Sequence, residues 1–395
     1  MNSGWSRIRL GDVARVKHGF AFSGMGESSD TSLPVVIGIG NFDYAGGFRF
    51  DSTTLKRFSG SFPAEYILEP GDVLLAMTCQ TAGGEILGIP GTVPADGRTY
   101  LHNQRLGKLE IFRTDRVDLR YLYHVARSKP FNQHLFGTAS GSKILHTSPG
   151  RIEDFNFDLP PHHEQLEIAA MLSVFDEKIE SNRLLITLIP LLVHALVVTA
   201  IVKGSSTVAV AKLARFTNGG AYTKGASGTG RMVLRIAELN SGPGGSTVYS
   251  DIDVPEDKTA RAGDILMSWS GSLGVYRWFR DEAIINQHIF KVIPTGYPSW
   301  LVFDRLGAVM PVFQGIAQDK TTTMGHIQRG HLESTTVHLP PPAEIERLES
   351  ALAPLWERLL LAEQANVKLA GLRDALLPEL ISGRTRTRRA AEAPA

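Results

Sequence analysis

The 395 residues predict an α+β fold: two homologous, mixed, mainly β domains separated by two long antiparallel coiled-coil helices, with a pseudo-twofold internal repeat. The repeat is the first observation, because a missed period misreads a whole architecture. VARVKHGFAF (Val13 to Phe22) recurs as LARFTNGGAY (Leu213 to Tyr222) at an offset of 200, and PGDVLLAM from Pro70 recurs as AGDILMSW from Ala262 at 192. Asn103-Gln104 recurs as Asn286-Gln287 at 183, and His146, Ile152 and Leu159-Pro160-Pro161 recur as His326, Leu332 and Leu339-Pro340-Pro341 at 180. An offset that shrinks while the order is kept marks two copies, the second shorter in its loops. The second observation is a pair of heptad segments, and the third is a run of short β-type stretches in front of each.

Taken in order, residues 1–160 read as the first domain. PVVIGI, DVLLAM and GKLEIF are strand-like runs cut by Gly, Pro, Asn and Asp, and Gly71-Asp72 is a turn entering a strand. A Leu-Pro-Pro stop introduces a central helix over 161–204, with apolar residues at Ile168, Leu172, Phe175, Ile179, Ile186, Ile189, Val193 and Leu196 and Asn182 filling one gap. Alternating steps of three and four are coiled-coil spacing, and a single Asn in such a seam fixes register. Residues 205–341 repeat the β domain through MVLRI, DILMSW and HIFKVI, with Gly263-Asp264 as the matching turn. A second helix over 342–383 carries Ile345, Leu348, Leu352, Leu355, Leu359, Ala362, Asn366 and Leu369, continued by Leu376 and Leu380. Residues 384–395 begin RTRTRR, with Arg384, Arg386, Arg388 and Arg389, and are expected to be a disordered cationic tail.

Composition narrows the function. A formal charge of +1, from 41 basic and 40 acidic side chains, argues against a binder driven by a cationic tail, though not against a local basic face. One cysteine, Cys79, allows neither a disulfide framework nor a Cys-based zinc site, and the start MNSGWSRIRLGDV has no apolar h-region, so a cytoplasmic location is expected. The run LLITLIPLLVHALVVTAIV is long enough for a bilayer, but it continues a heptad begun in charged sequence and contains Pro190 and His194. It is read as a helix covered by its mate and by another protein, with no membrane. The seam Ile168, Leu172, Phe175, Ile179, Asn182, Ile186, Ile189, Leu348, Leu352, Leu355, Leu359, Asn366 and Leu369 is accordingly the expected subunit interface.

Two similar domains on a fixed rod form a caliper, and duplex DNA suits it: each domain reads one half of a bipartite, asymmetric site, with centres about 34–36 Å apart. Base readout needs Arg or Lys for guanine and Asn or Gln for adenine, while Ser, Thr, Lys and Arg also hold phosphates. The candidate DNA-binding residues in the first domain are Lys17, His18, Ser23, Thr78, Gln80, Thr81, Asn103, Gln104, Arg105, Ser142, Lys143 and His146. Those in the second are Asn218, Tyr222, Lys224, Ser268, Ser270, Ser272, Asn286, Gln287, His288, Lys320, Thr321, Thr322, Thr323 and His326. Residues shared by both copies fit support or phosphate contact, and loops that differ between copies fit base choice.

LGDVARVKHG, PGDVLLAM, NQRLGKLEIF and LPPHHEQLEIAAMLSVFDEKIESN, echoed in the second half and closed by LRDALLPELISGR, resemble the specificity subunit of Type I restriction–modification systems. The resemblance implies two target-recognition domains and partners beyond double-stranded DNA. These are two methyltransferase subunits that use AdoMet and, in the restricting complex, two motor-nuclease subunits that use ATP and Mg. The second copy departs from the pattern at Ala343-Glu344-Ile345, where Glu-Gln is expected. The chain carries no Walker A loop, no Asn/Asp-Pro-Pro-aromatic motif and no His-Glu-x-x-His, so catalysis, AdoMet and ATP are expected in the partners, with no metal and no cofactor here. Two other readings stay open: an orphan or fused methyltransferase system without restriction, and a structural rod whose domains bind protein or glycan.

Overall fold

The repeated blocks fall on equivalent elements of the computed structural model, which describes residues 4–44, 46–50, 55–318 and 325–386. The chain is organised as two units, Met1–Glu177 with Leu369–Ala395, and Lys178–Lys368. Each unit therefore holds one β domain together with part of each long helix.

In the first unit the opening strand Ser6–Arg9 pairs antiparallel with the closing strand Asn156–Leu159, Ser6 opposite Leu159. The second unit repeats this with Ser206–Ala209 and Thr336–Leu339, Ser206 opposite Leu339. Pairing the first and last strands delivers the chain to its Pro-Pro stop beside its own start, and a helix begins there in both copies. Each domain also carries a four-stranded antiparallel sheet, ordered Ala14–His18, Leu106–Ile111, Val73–Ala76, Pro90–Thr92 in the first unit and Ala214–Asn218, Ile289–Pro294, Ile265–Ser268, Gly274–Arg277 in the second. A mixed sheet completes each, with one parallel pair: Val35–Ile37 with Tyr100–His102, and Arg231–Leu234 with Ala283–Ile285.

The Gly-Asp turns show why these residues recur. Gly71 and Gly263 have φ of 93° and 96°, where a Cβ is strained. The following Asp72 accepts from Glu69 N at 2.9 Å and pairs with Lys108 at 2.8 Å, while Asp264 accepts from Arg261 N at 2.7 Å and pairs with Lys291 at 2.9 Å. One carboxylate thus closes the turn and ties it to the neighbouring strand in both copies. A second repeated constraint lies at Gly19 and Gly219, where an added Cβ would meet the carbonyl oxygen of Asn103 or Asn286 at 2.2 Å.

The two helices run His162–Lys203 and Pro342–Ile381, with Glu164 and Glu344 in their first turns, where the helix dipole favours a carboxylate. In the first unit Ile168, Leu172, Leu377 and Leu380 join the domain core. In the second, Ile189, Val193, Val197 and Ala200 share a core with Leu348, Leu352 and Leu359. There Asn182 Nδ2 donates to Asn366 Oδ1 at 2.9 Å and Lys203 pairs with Glu344 at 3.5 Å, so the helices run antiparallel. Asn366 Nδ2 also donates to the Ile179 carbonyl at 3.2 Å, so a one-turn slip would strand buried Asn182 and half-buried Asn366. Phe175, Ile186, Leu355 and Leu369 are only half buried.

Gln165 explains the Glu-Gln motif. It is fully buried; its carbonyl accepts from Asp118 N at 3.0 Å, and its amide donates to the Arg116 and Pro160 carbonyls at 2.8 and 2.9 Å. One side chain so ties helix, loop and Pro-Pro stop together. Ile345, at the equivalent place in the second copy, instead packs against that unit's core, and Glu344 pairs with Arg347 and Lys203. Gln165→Leu is expected to destabilise the first unit by about 2–3 kcal/mol, because three backbone groups lose their partner. Urea midpoints with an unchanged slope will show this, and a variant as stable as the parent would refute the clamp.

Candidate nucleic-acid interface

Both units gather loop residues at one end of their four-stranded sheet, and the backbone frame is the same. In the first unit Met77 N donates to Arg105 O at 2.9 Å and Thr147 N to Met77 O at 2.9 Å. In the second Trp269 N donates to His288 O at 3.2 Å and Ile327 N to Trp269 O at 3.0 Å, the same bonds displaced by the sequence offsets. The turns repeat as well: Leu106 N donates to Asn103 O at 3.0 Å, and Ile289 N to Asn286 O at 3.1 Å. Phe20 and Gly220 make parallel bridges to Asn103 and Asn286, and Thr78 and Ser270 pair antiparallel with His146 and His326. Chain segments far apart in sequence are thereby locked around one spot in each unit.

The side chains on this frame differ. In the first unit the spot brings together His18, Thr78, Asn103, Gln104, Arg105 and His146. Gln104, Arg105 and His146 are exposed, whereas Thr78 is buried and lies 3.1 Å from His146 Nδ1. Asn103 Oδ1 is taken by Arg105 N at 3.0 Å, and His18 Nδ1 lies 3.1 Å from Gly19 O. Beneath the turn, buried His102 has its pKa pushed down to about 4 by burial, so it is a neutral ring whose Nε2 meets Leu106 O at 2.9 Å. Other candidates have local partners. Lys17 pairs with Glu65 at 2.9 Å and lies over the Tyr66 ring, Ser23 caps a short turn, and Thr81 bonds Glu85. Gln80, Ser142 and Lys143 are exposed. Phe20 and Phe22 pack edge to face, and Phe22 joins a small cluster with Phe58 and Phe62.

In the second unit the spot holds Asn218, Trp269, Ser270, Asn286, Gln287, His288 and His326. Ser268 is fully buried; its hydroxyl donates to Ser272 O at 2.6 Å and accepts from Gly274 N at 2.8 Å, which shapes the loop. Tyr222 packs in a small cluster with Val233, Val254 and Ile284, and Lys224 and Ser272 are exposed. Lys320, Thr321, Thr322 and Thr323, and beyond Arg386 the tail, lie outside the described residues. Trp269 is absent from the sequence-derived candidates, although the repeat offers a signal: it stands where the first copy has Met77. Among the described residues no three His, Cys, Asp or Glu side chains come together as a metal site.

The central helix adds a second feature legible only in three dimensions. Leu184, Leu188, Leu191, Ala195, Val198 and Val202 are all exposed and repeat in steps of four and three. They form an outward heptad stripe opposite the buried one. An 18-residue window of this helix has a mean hydropathy of 2.6, and 22% of it is buried.

Residues 2–190 match the family model of the Type I restriction modification DNA specificity domain. Over that stretch, just under half of its length, the chain is similar to Type I restriction–modification specificity subunits. The Type I restriction enzyme EcoBI specificity subunit of Escherichia coli is 25% identical over 190 residues, which cover 48% of this chain and 36% of that relative. The MjaVIII specificity subunit of Methanocaldococcus jannaschii is 24% identical over 183 residues, covering 45% of this chain and 41% of that relative. The chain thus spans about two fifths of the length of these curated relatives. The crystal structure of a Type-I restriction-modification system S subunit from M. genitalium shares the fold, with a TM-score of 0.61 at 13% identity over 96% of this chain and 97% of that one. The specificity-domain match ends at residue 190, and the second unit is tied to the first by the repeated strand pairing and hydrogen-bonded frame.

Proposed function

We propose that this chain is the non-catalytic, sequence-reading subunit of a Type I restriction–modification complex, acting in the cytoplasm. One observation carries the reading: the same loop frame occurs twice in one chain and bears different side chains, Met77, Thr78 and Arg105 against Trp269, Ser270 and His288. A shared frame with changed contacts reads two half-sites of different sequence, so the target is bipartite and asymmetric. Two methyltransferase subunits supply AdoMet chemistry and flip the adenines, and two motor-nuclease subunits supply ATP- and Mg-dependent restriction. The outward stripe Leu184 to Val202 suits a partner helix, because heptad spacing on one face seats knobs from another coil. With a formal charge of +1, the isolated chain is expected to bind DNA weakly and to gain tight, salt-sensitive binding from its partners.

Single-molecule methylation sequencing of cells with and without the gene tests the reading. Loss of one bipartite motif on deletion is expected, and a methylome indifferent to the gene would sink it. Leu188→Glu with Leu191→Glu is expected to release the methyltransferase in co-purification and erase the same motif, while the chain keeps its far-ultraviolet circular dichroism. Undiminished co-purification would remove the stripe from the interface.

A further inference from the structure

At one end of the second unit's four-stranded sheet, three strands finish side by side. Asn218 closes Ala214–Asn218, His288 precedes Ile289–Pro294, and Trp269 follows Ile265–Ser268. Asn286 sits in the same turn as His288, and the Trp269 ring packs 5.4 Å from the His288 ring. Among the described residues, four side-chain atoms here are sealed from solvent without a hydrogen-bond partner: Asn218 Oδ1, Trp269 Nε1, Asn286 Oδ1 and His288 Nδ1. The Gln287 amide nitrogen lies 3.1 Å from His288 Nε2 and can only donate, so Nε2 accepts and the neutral ring carries its proton on Nδ1. The set therefore holds two donors, the indole and imidazole N–H, and two acceptors, the amide oxygens.

The fold does not demand this set. The equivalent positions in the first unit are His18, Met77, Asn103 and Arg105, and there Asn103 Oδ1 and His18 Nδ1 both have partners. Unmet buried donors and acceptors cost stability and are few in folded proteins, so four at one loop cluster are a group held for a ligand. Asn218, Trp269 and His288 are half buried, and rotation of such side chains on binding is common at interfaces.

Resting on the proposed reading of the chain as a sequence-reading subunit, we infer that Asn218, Trp269, Asn286 and His288 choose the base in the second half-site, and that the base is adenine. Adenine shows an acceptor, N7, beside a donor, the N6 amino group, on one groove edge, which answers a set with both; guanine shows acceptors only. The first unit has exposed Arg105 at the place of His288, a donor-only group suited to guanine or phosphate.

The test keeps the full chain in its own cells and reads the methylated motif for the wild type, Asn218→Ala and His288→Arg. In Asn218→Ala, discrimination at one A·T pair of the second half-site is expected to fall roughly 10- to 100-fold, with the first half-site and the spacing unchanged. In His288→Arg the preference at that pair is expected to move toward guanine. An unchanged motif in both variants overturns the inference. So does loss of the whole motif in both, since the residues would then hold the unit together rather than choose a base. A second half-site without an A·T pair also overturns it. If no motif depends on the wild-type chain, the reading as a specificity subunit falls, and the inference with it.

Discussion

Asp176→Asn is expected to destabilise the first unit by about 3–5 kcal/mol, the cost of breaking a buried ion pair by removing one partner. Asp176 receives Arg127 Nη1 at 2.8 Å and Arg373 Nη1 at 2.7 Å, and both guanidinium groups are almost entirely buried. Burial alone would push the Asp176 carboxyl up, but the two arginines outweigh it and hold it below the usual range. The amide of Asn keeps the shape and one acceptor but loses the charge that made burial of two cations tolerable. Asp374, 2.9 Å from Arg373 and mostly exposed, offsets part of the loss, which favours the lower end of the range. The three residues come from the central helix, the C-terminal helix and the end of helix Leu119–Ala126, so the cluster fixes the first β domain on its helices. Chemical denaturation of the full chain should show the first unit melting early; a shift below 1 kcal/mol would mean that the cluster does not hold it.

The repeat made the fold legible. Gly-Asp turns, Asn-Gln turns and Leu-Pro-Pro stops fall on equivalent elements because each is fixed by local geometry: a positive φ, a backbone within 2.2 Å of a missing Cβ, a proline that cannot continue a strand. Asn182 and Asn366 stood out because polar residues are conspicuous in an apolar period. The outward stripe did not, because Leu184 to Val202 is apolar on both faces and only packing separates the buried row from the exposed one.

Site residues were less legible because polar residue types do not announce their partners. Lys17 is bound to Glu65 and Ser268 to its own loop, contacts that depend on which strands become neighbours. Trp269 only closes the strand-like run DILMSW in sequence, yet its indole nitrogen is one of the atoms that the fold leaves unmet. Arg105 and His288 hold the same place in the frame with different chemistry, which the offset of 183 alone could not reveal as adjacent to Met77 and Trp269.

Acidification from pH 7 to pH 5 is expected to remove about 4 kcal/mol from the first unit, roughly 2 kcal/mol through each of two histidines. His102 and His124 are both about 1% exposed, and burial lowers each pKa to about 4. For His124 the neighbouring Asp176 opposes the shift, while Arg127 and Arg373 add to it. Its Nδ1 is also buried without an acceptor among the described residues, so a proton there would be a donor with nowhere to point. In the unfolded chain both rings take a proton near pH 6.5, whereas the native rings refuse it until about pH 4. The unfolded state therefore binds more protons throughout that window. The contribution is complete above about pH 6.5 and is lost progressively toward pH 4. Because Asn103 to Arg105 follow His102 directly, that turn of the first unit should loosen before the second unit is affected. Unfolding free energies at pH 7, 6 and 5 at fixed ionic strength check this, with His102→Gln and His124→Gln each expected to cut the fall by about 2 kcal/mol whatever they cost at pH 7. A fall of undiminished size in the double variant would assign the acid sensitivity to other groups.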